Sequence, residues 1–389
     1  MLFVMIAGTN IPSPLYKEYA RLWHFSPTTL TLLFSTYAAV LVIALLLASR
    51  VVTRFGYRSS LTASILVAAA ASAVFAIAPD TLWLFIARGL QGAAVGIASG
   101  AFTAAIVALH PRSDARAASV TVSAMTAFGG GLGPIACGIL AEYLPYPLHT
   151  IFWVEAVLLI VGAATVLSIP GHLGRAASTA SPWPALPADR RTFLTAAAAT
   201  FLAWGVVALF LTIAPSLITD LTGNTHVIIA GLVAGIVLVA SGIAQLGLSR
   251  IATATAHLAG LALLAVGLLG LIASTLITEP VIVLAAAVIA GTGHGLAFMA
   301  ALRQTNALTE GADNRPGVLS SFYIATYGGV GVPIIGVGLL ATASNTTTAV
   351  RAFAVVVIAA LLLLAVASRF RPSAPSATHA DRELLKSPR

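Results

Sequence analysis

Twelve apolar runs of roughly bilayer-crossing length divide this chain almost from end to end, near residues 1–16, 28–48, 59–78, 81–109, 118–141, 150–169, 192–218, 226–248, 256–277, 281–302, 317–341 and 350–368. A helix needs about 20 apolar residues to cross the hydrocarbon core of a bilayer. Backbone exposed to lipid must satisfy its own hydrogen bonds, which leaves helices or closed barrels. Barrel strands read as segments of about ten residues with alternating polarity, and the unbroken Ala/Leu/Val/Ile stretches here do not. The expected fold is an all-α membrane protein with twelve transmembrane helices. Only 8% of residues are charged, against about 25% in soluble domains. That excludes a cytosolic enzyme, a nucleic-acid-binding module and a disordered chain.

The net charge of +8 follows topology. With the C-terminus placed inside, sixteen of the twenty Lys and Arg residues fall on inner loops and the tail, and Lys17, Arg21 and Arg351 fall outside. Arg88 lies within a span. This asymmetry is the positive-inside signature, and it predicts an even number of spans with both termini cytoplasmic. The stretch 170–191 is rich in Ala, Ser and Pro and reads as a linker between two six-helix bundles, 1–169 and 192–368. Residues 369–389 read as a polar cytoplasmic tail.

The two halves match at a constant offset of 199 residues. Gly92, Gly96, Asp114, Arg116, Gly129, Gly130 and Pro134 meet Gly291, Gly295, Asp313, Arg315, Gly328, Gly329 and Pro333. Parallel repeats of this kind belong to a transporter architecture. The offset also places the start of span 1 about seven residues before Met1, by analogy with span 7 near Thr192. The first helix is therefore expected to be short, or to begin upstream of Met1.

Span 4 contains Leu84-x-x-x-Arg88-x-x-Gln91-Gly92. An arginine at the centre of a membrane helix costs about 2.5–3.5 kcal/mol on insertion scales, so Arg88 marks either a polar interior or an interfacial snorkelling side chain. Span 5 contains Gly129-x-x-x-Gly133-Pro134-x-x-Cys137-Gly138. Its glycines allow close helix approach, and Pro134 removes a backbone donor. Together these residues resemble the major facilitator superfamily over nearly the whole chain. The span-4 segment is similar to a family motif whose arginine is implicated in proton coupling. The span-5 segment resembles the motif typical of its proton-driven antiporters, with Cys137 where a second glycine usually stands. The segment Ser49-Arg-Val-Val-Thr53-Arg54-Phe-Gly56-Tyr57-Arg58 resembles the family's gating loop at Arg54, Gly56 and Arg58. Ser49, Thr53 and Tyr57 replace its usual glycine, aspartate and basic residue. The resemblance implies two six-helix bundles rocking about a midplane site.

Among the twelve acidic residues only Glu155 falls within a span. A carboxylate there is a proton-carrier candidate, or else an interfacial or structural group. His294, in the middle of span 10, is a second candidate, since imidazole titrates near physiological pH; the alternative is a hydrogen-bonded packing residue. In the resembled family, spans 1, 4, 7 and 10 line the centre, flanked by 2, 5, 8 and 11. This makes Asn10, Tyr37, Gln91, Phe128, Trp204, Phe298, Tyr323 and Tyr327 candidates for the cavity, with Phe128 and Tyr327 a repeat-related pair able to clasp a substrate from two sides. The sole cysteine, Cys137, permits no internal disulfide, and no Cys/His spacing suits a metal. No cofactor is expected. The expected function is proton-coupled efflux of small lipophilic compounds, with uptake symport of a metabolite or a non-transporting role as alternatives. The expected partners are a small-molecule substrate, protons and the lipid bilayer, but no nucleic acid. The chain is expected to act as a monomer, and its Ala-rich, short-looped composition points to a bacterial cell membrane.

Overall fold

The computed structural model describes residues 1–109, 115–168, 183–223, 226–277, 279–310, 312 and 314–369, and among them it is helical with no strand. Among the described residues, ten helical stretches are long and apolar enough to cross a membrane. One of them, Pro27–Ala76, comprises two helices, spans 2 and 3, that meet at a kink. Span 1 is built from two shorter helices, Leu2–Asn10 and Tyr16–Trp23, joined through a 3-10 turn at Ser13–Leu15. The remaining spans are Thr81–Leu109, Ala115–Tyr143, Pro147–Leu167, Arg190–Thr212 with Ala214–Thr222, Val227–Gly247, Thr253–Ser274, Pro280–Leu308, Arg315–Ala343 and Thr346–Arg369, numbered 4 to 12 in chain order.

The boundary of span 1 differs from the sequence reading. Span 1 continues to Trp23, because Lys17, Glu18 and Arg21 sit on one side of an amphipathic helix whose other side buries Tyr16 and Tyr19. Spans 2 and 3 are two helices, as the sequence reading has them, and they meet at a kink at Gly56, where φ is 80° and ψ is 163°. That backbone region is essentially restricted to glycine. A Cβ at Gly56 would meet nothing within 4 Å, and the same holds at the helical Gly89. Gly56→Ala is therefore expected to lower stability by about 1–3 kcal/mol through backbone strain alone. Gly89→Ala is expected to be neutral or stabilising, since alanine is the better helix former. Thermal unfolding of the two variants in nanodiscs checks the difference.

The repeat is visible in the packing. Gly92 and Gly96 of span 4 lie against the backbone of span 2 at Tyr37 and Leu41, where any side chain would overlap. Gly291 and Gly295 of span 10 lie in the same way against span 8 at Val237 and Ser241. The breaks in spans 1 and 7 also correspond, one at the Ser13–Leu15 turn and the other at Ile213. Span 5 packs against span 8, and span 2 against span 11, joining the first six spans to the last six. Asp114, Asp313, most of the linker and the tail beyond Arg369 lie outside the described residues. The described end of the linker is held to span 11. The Ala185 amide donates to Gly317 O (3.1 Å), and Ser321 Oγ donates to Ala185 O (2.8 Å).

Candidate functional site: a central cavity and its buried charges

Proline breaks in two helices organise the polar interior. Pro12 has no N–H, so the carbonyl of Gly8, four residues earlier, loses its helical partner. Gln91 of span 4 supplies one, its Nε2 donating to Gly8 O at 3.1 Å. The neighbouring Thr9 carbonyl, at the C-terminal end of the same short helix, accepts from Arg88 Nη1 at 2.6 Å. Arg88 Nη1 also donates to Gln91 Oε1 (2.9 Å), and Nε approaches Leu33 O at 3.4 Å. The guanidinium carbon lies 4.7 Å from the Phe34 ring centroid and 4.5 Å from that of Tyr37. Arg88 is completely buried. Its charge faces carbonyl oxygens, the negative end of a helix dipole and two aromatic faces, all favourable for a cation. Pro134 of span 5 repeats the device: it leaves Gly130 O free, and Asn10 Nδ2 donates to it at 3.1 Å.

Glu155 sits on another side of the first helix of span 1. It is 4% exposed, and its carboxylate presses on Gly8 so closely that a methyl there would overlap Oε1. Ser72 of span 3 is within hydrogen-bonding reach, and Oε2 has no partner. Gly8 thus meets Glu155 with its α-carbon and Gln91 with its carbonyl. One residue of span 1 touches both halves of the polar constellation.

A cavity of about 580 Å³ lies between the two groups of six spans. Leu2 and Ile6 of span 1, Leu45, Ala48 and Val52 of span 2, and Val122 and Thr126 of span 5 form one wall. Trp204, His294, Phe298, Tyr323 and Tyr327 form the facing one. The cavity reaches the end of the molecule that carries Arg54, Arg58 and Arg303, where Ser49, Thr53, Tyr57 and Pro316 surround it. Among the described residues, none that lines it carries a formal charge, with His294 counted as neutral. Of the residues expected in the cavity, Trp204, Phe298, Tyr323 and Tyr327 line it, and so does His294. Asn10, Tyr37 and Gln91 do not; they hold the broken helices and Arg88 as described. Phe128 is also outside the lining, its ring against Gly242 of span 8, so the repeat-related clasp with Tyr327 does not form across this cavity. The repeat relation ignores that spans 5 and 8 pack tightly here, which turns the Phe128 ring into the interface.

Span 5 shows why its glycines recur on two sides. Gly129 and Gly133 lie against Phe3 and Ala7 of span 1. Gly131, Pro134 and Gly138 lie against Gly231, Gly235 and Val227 of span 8 in the other half. The helix packs closely both on its own bundle and on the opposite one.

The end opposite the basic residues is held shut by polar contacts between the halves. Lys17 Nζ pairs with Asp220 at 2.7 Å, and Glu142 meets His226 Nδ1 at 2.6 Å while accepting from the Val227 amide at 3.1 Å. Thr28 Oγ1 donates to Gly338 O at 3.0 Å. At the basic end, Thr53 Oγ1 donates back to Ser49 O, Arg58 donates to Leu167 O, and Arg54 rests over Phe55. Neither arginine forms an ion pair among the described residues. The closed end is therefore the strapped one. Glu142→Gln is expected to raise the labelling rate of a cysteine at the fully buried Thr31 about two- to fivefold, the modest effect of a partly exposed ion pair. Labelling from the far side of reconstituted vesicles, in a Cys137→Ser background, measures it.

The family model described as Major Facilitator Superfamily matches residues 1–332. The chain belongs to the Major Facilitator Superfamily. It is a multi-pass helical membrane protein of that family. Multidrug resistance protein 2 of Bacillus subtilis is 23% identical over 175 residues, covering 44% of this chain and 42% of that protein. A probable multidrug-efflux transporter of Mycobacterium tuberculosis is 34% identical over 147 residues, covering 38% of this chain and 29% of that one. The chain thus matches less than half the length of these curated relatives. A bacterial homolog of the human lysosomal transporter Spinster, solved in an inward-facing and occupied conformation, superposes with a TM-score of 0.74 at 14% identity, covering 96% of this chain and 97% of that one. A nucleoside transporter superposes at 0.70 with 12% identity, covering 95% and 98%. At these identities the structural likeness concerns the fold alone.

Proposed function

We propose that this facilitator exports small, uncharged lipophilic compounds in exchange for protons by alternating access. The observation that carries the reading is the cavity between the halves, whose described lining residues carry no charge, with the buried Arg88 and Glu155 of the first half kept outside it. A lipophile enters such a space without leaving an unpaired charge, whereas a buried unpaired ion costs several kcal/mol. The names of the two curated relatives agree with efflux. The distribution of Lys and Arg assigns the basic end, and with it the open mouth of the cavity, to the cytoplasm.

Coupling runs through span 1. Glu155 is the proton carrier, with a partnerless oxygen ready to bind and release a proton. Its contact Gly8 belongs to the short helix whose Leu2 and Ile6 line the cavity and whose carbonyls are held by Arg88 and Gln91. Moving that helix alters the surroundings of Glu155 and the substrate wall together. His294 takes no part in proton transfer on this reading; it belongs to the substrate wall. Span 5 is the bearing, and the contacts of Lys17, Glu142 and Thr28 close the outer side. The protein works as a monomer in the bacterial inner membrane, with both termini cytoplasmic.

The test is transport in inside-out vesicles. A proton gradient, acid inside, is expected to drive accumulation of an uncharged aromatic probe, and an uncoupler to abolish it. Accumulation indifferent to the gradient would contradict proton coupling. The absence of an aspartate at Thr53 favours a second reading, proton-coupled uptake. Gradient-driven accumulation confined to right-side-out vesicles would establish that one.

A further inference from the structure

The two walls of the cavity differ in chemistry. On the wall from spans 1 to 5, the hydroxyls of Thr53, Ser99 and Thr126 each donate to a carbonyl of their own helix at 2.7–2.8 Å. Their protons are engaged; Ser49 and Tyr57, at the mouth, and Ser123 are the other polar side chains among the described residues of this wall, and the rest are aliphatic. The wall from spans 7, 8, 10 and 11 is aromatic and has polar groups to spare. Trp204 and His294 lie edge to face at 4.7 Å, and His294 stacks on Phe298 at 5.8 Å with 4° between the rings. Among the cavity-lining residues, the buried side-chain nitrogens or oxygens without a hydrogen-bond partner are Trp204 Nε1 and His294 Nε2.

The protonation of His294 follows from its network. Gln245 Nε2 donates to Ser241 Oγ at 3.1 Å, and among the described residues His294 Nδ1, at 2.8 Å, is the acceptor that the structure offers the Ser241 hydroxyl proton. The imidazole proton is then on Nε2. Indole Nε1 is a donor only. Two N–H groups without acceptors among the described residues therefore stand together in an aromatic frame, in a cavity whose described lining carries no charge. Buried donors find partners in nearly all proteins, and the described residues provide none here.

We infer that Trp204, His294 and Phe298 form a recognition subsite, held by the C-terminal half, for an uncharged aromatic ligand bearing a carbonyl or ether oxygen. The ring stacks against the aromatic wall, and the oxygen accepts from Trp204 Nε1 and His294 Nε2. The largely aliphatic wall of the first half carries Ser123 and, at the mouth, Ser49 and Tyr57, and faces the aromatic subsite with apolar side chains such as Leu2, Ile6, Leu45 and Val122. The ligand consequently stays with the last six spans as the first six swing away. The inference rests on reading the cavity as the substrate site, and it narrows the substrates to one class.

Three two-ring probes of nearly equal size test it: coumarin with a carbonyl, naphthalene without one, and N-methylquinolinium with a fixed positive charge. Equilibrium dialysis against the full chain in nanodiscs, without a proton gradient, gives their affinities. Coumarin is expected to bind about five- to tenfold more tightly than naphthalene, the range of one or two net hydrogen bonds, and N-methylquinolinium more weakly than either. Trp204→Phe and His294→Phe keep a ring and lose a donor, and each is expected to lower the coumarin-to-naphthalene ratio severalfold, coumarin losing the larger share of its affinity. His294→Gln retains a donor and is expected to keep part of the preference. Equal ratios in the parent and both phenylalanine variants would overturn the subsite, as would cation binding as tight as that of coumarin. Because dialysis needs no gradient, selective coumarin binding supports the subsite even if export fails. Loss of discrimination overturns it even if export of lipophiles is observed.

Discussion

Arg88→Ala is expected to abolish transport and to destabilise the first half by about 2–5 kcal/mol, the range for removing a buried charged hydrogen-bonding partner. The effect comes from what Arg88 holds. Thr9 O loses its 2.6 Å donor, and Gln91 loses the guanidinium that orients it toward Gly8 O. The first helix of span 1 ends in the membrane beside Pro12, and its free carbonyls then have no partner and no water. Arg88→Lys separates charge from geometry. An ammonium keeps the positive charge but lacks the planar fork that bonds Thr9 and Gln91 while lying over Phe34 and Tyr37. Lysine is expected to recover part of the stability and little of the transport. Thermal unfolding together with vesicle transport measures both, and full transport by Arg88→Lys would show that charge alone suffices.

The second large effect concerns Glu155. Glu155→Gln preserves shape and removes the titratable proton. Ligand binding and passive exchange of substrate are expected to persist, while gradient-driven accumulation falls to background. Glu155→Ala is expected to lose both coupling and stability, because it opens a void between spans 1, 3 and 6. A role in packing alone predicts another pattern, full accumulation by glutamine and failure by alanine. Gly8→Ala offers an independent check. Its methyl would occupy the place of the Glu155 carboxylate, so the exchange is expected to uncouple transport severalfold although no charge changes.

The fold was legible in the sequence because its determinants are local and repeated. Each span is a continuous apolar run, and the 199-residue offset marks Gly92 with Gly291 and Gly96 with Gly295, which play the same packing roles. Lys17, Glu18 and Arg21 misled the boundary of span 1, because a charged face hides a helix whose other side buries Tyr16 and Tyr19. The site was legible only as separate residues. Arg88, Glu155 and His294 stand out as polar groups in apolar runs, yet their partners are distant in sequence and several are backbone atoms. Asn10 and Gln91 read as cavity residues because they are polar and central, whereas they cap carbonyls freed by Pro134 and Pro12. A signal for this existed: a proline inside a membrane helix leaves the carbonyl four residues earlier open, so Gly8 and Gly130 were identifiable as acceptors in search of donors. Which wall of the cavity holds the free donors depends on hydrogen bonds between helices, and no sequence period encodes it.

The account stands most directly on one measurement: proton release on adding an uncharged aromatic substrate to inside-out vesicles energised acid-inside. The chain is expected to release protons when the substrate is added, and the Glu155→Gln variant to release none while still binding it. Gradient-driven substrate movement with undiminished proton release in Glu155→Gln would contradict the assignment of Glu155 as carrier. Substrate movement with no proton release by the unaltered chain would contradict proton exchange itself.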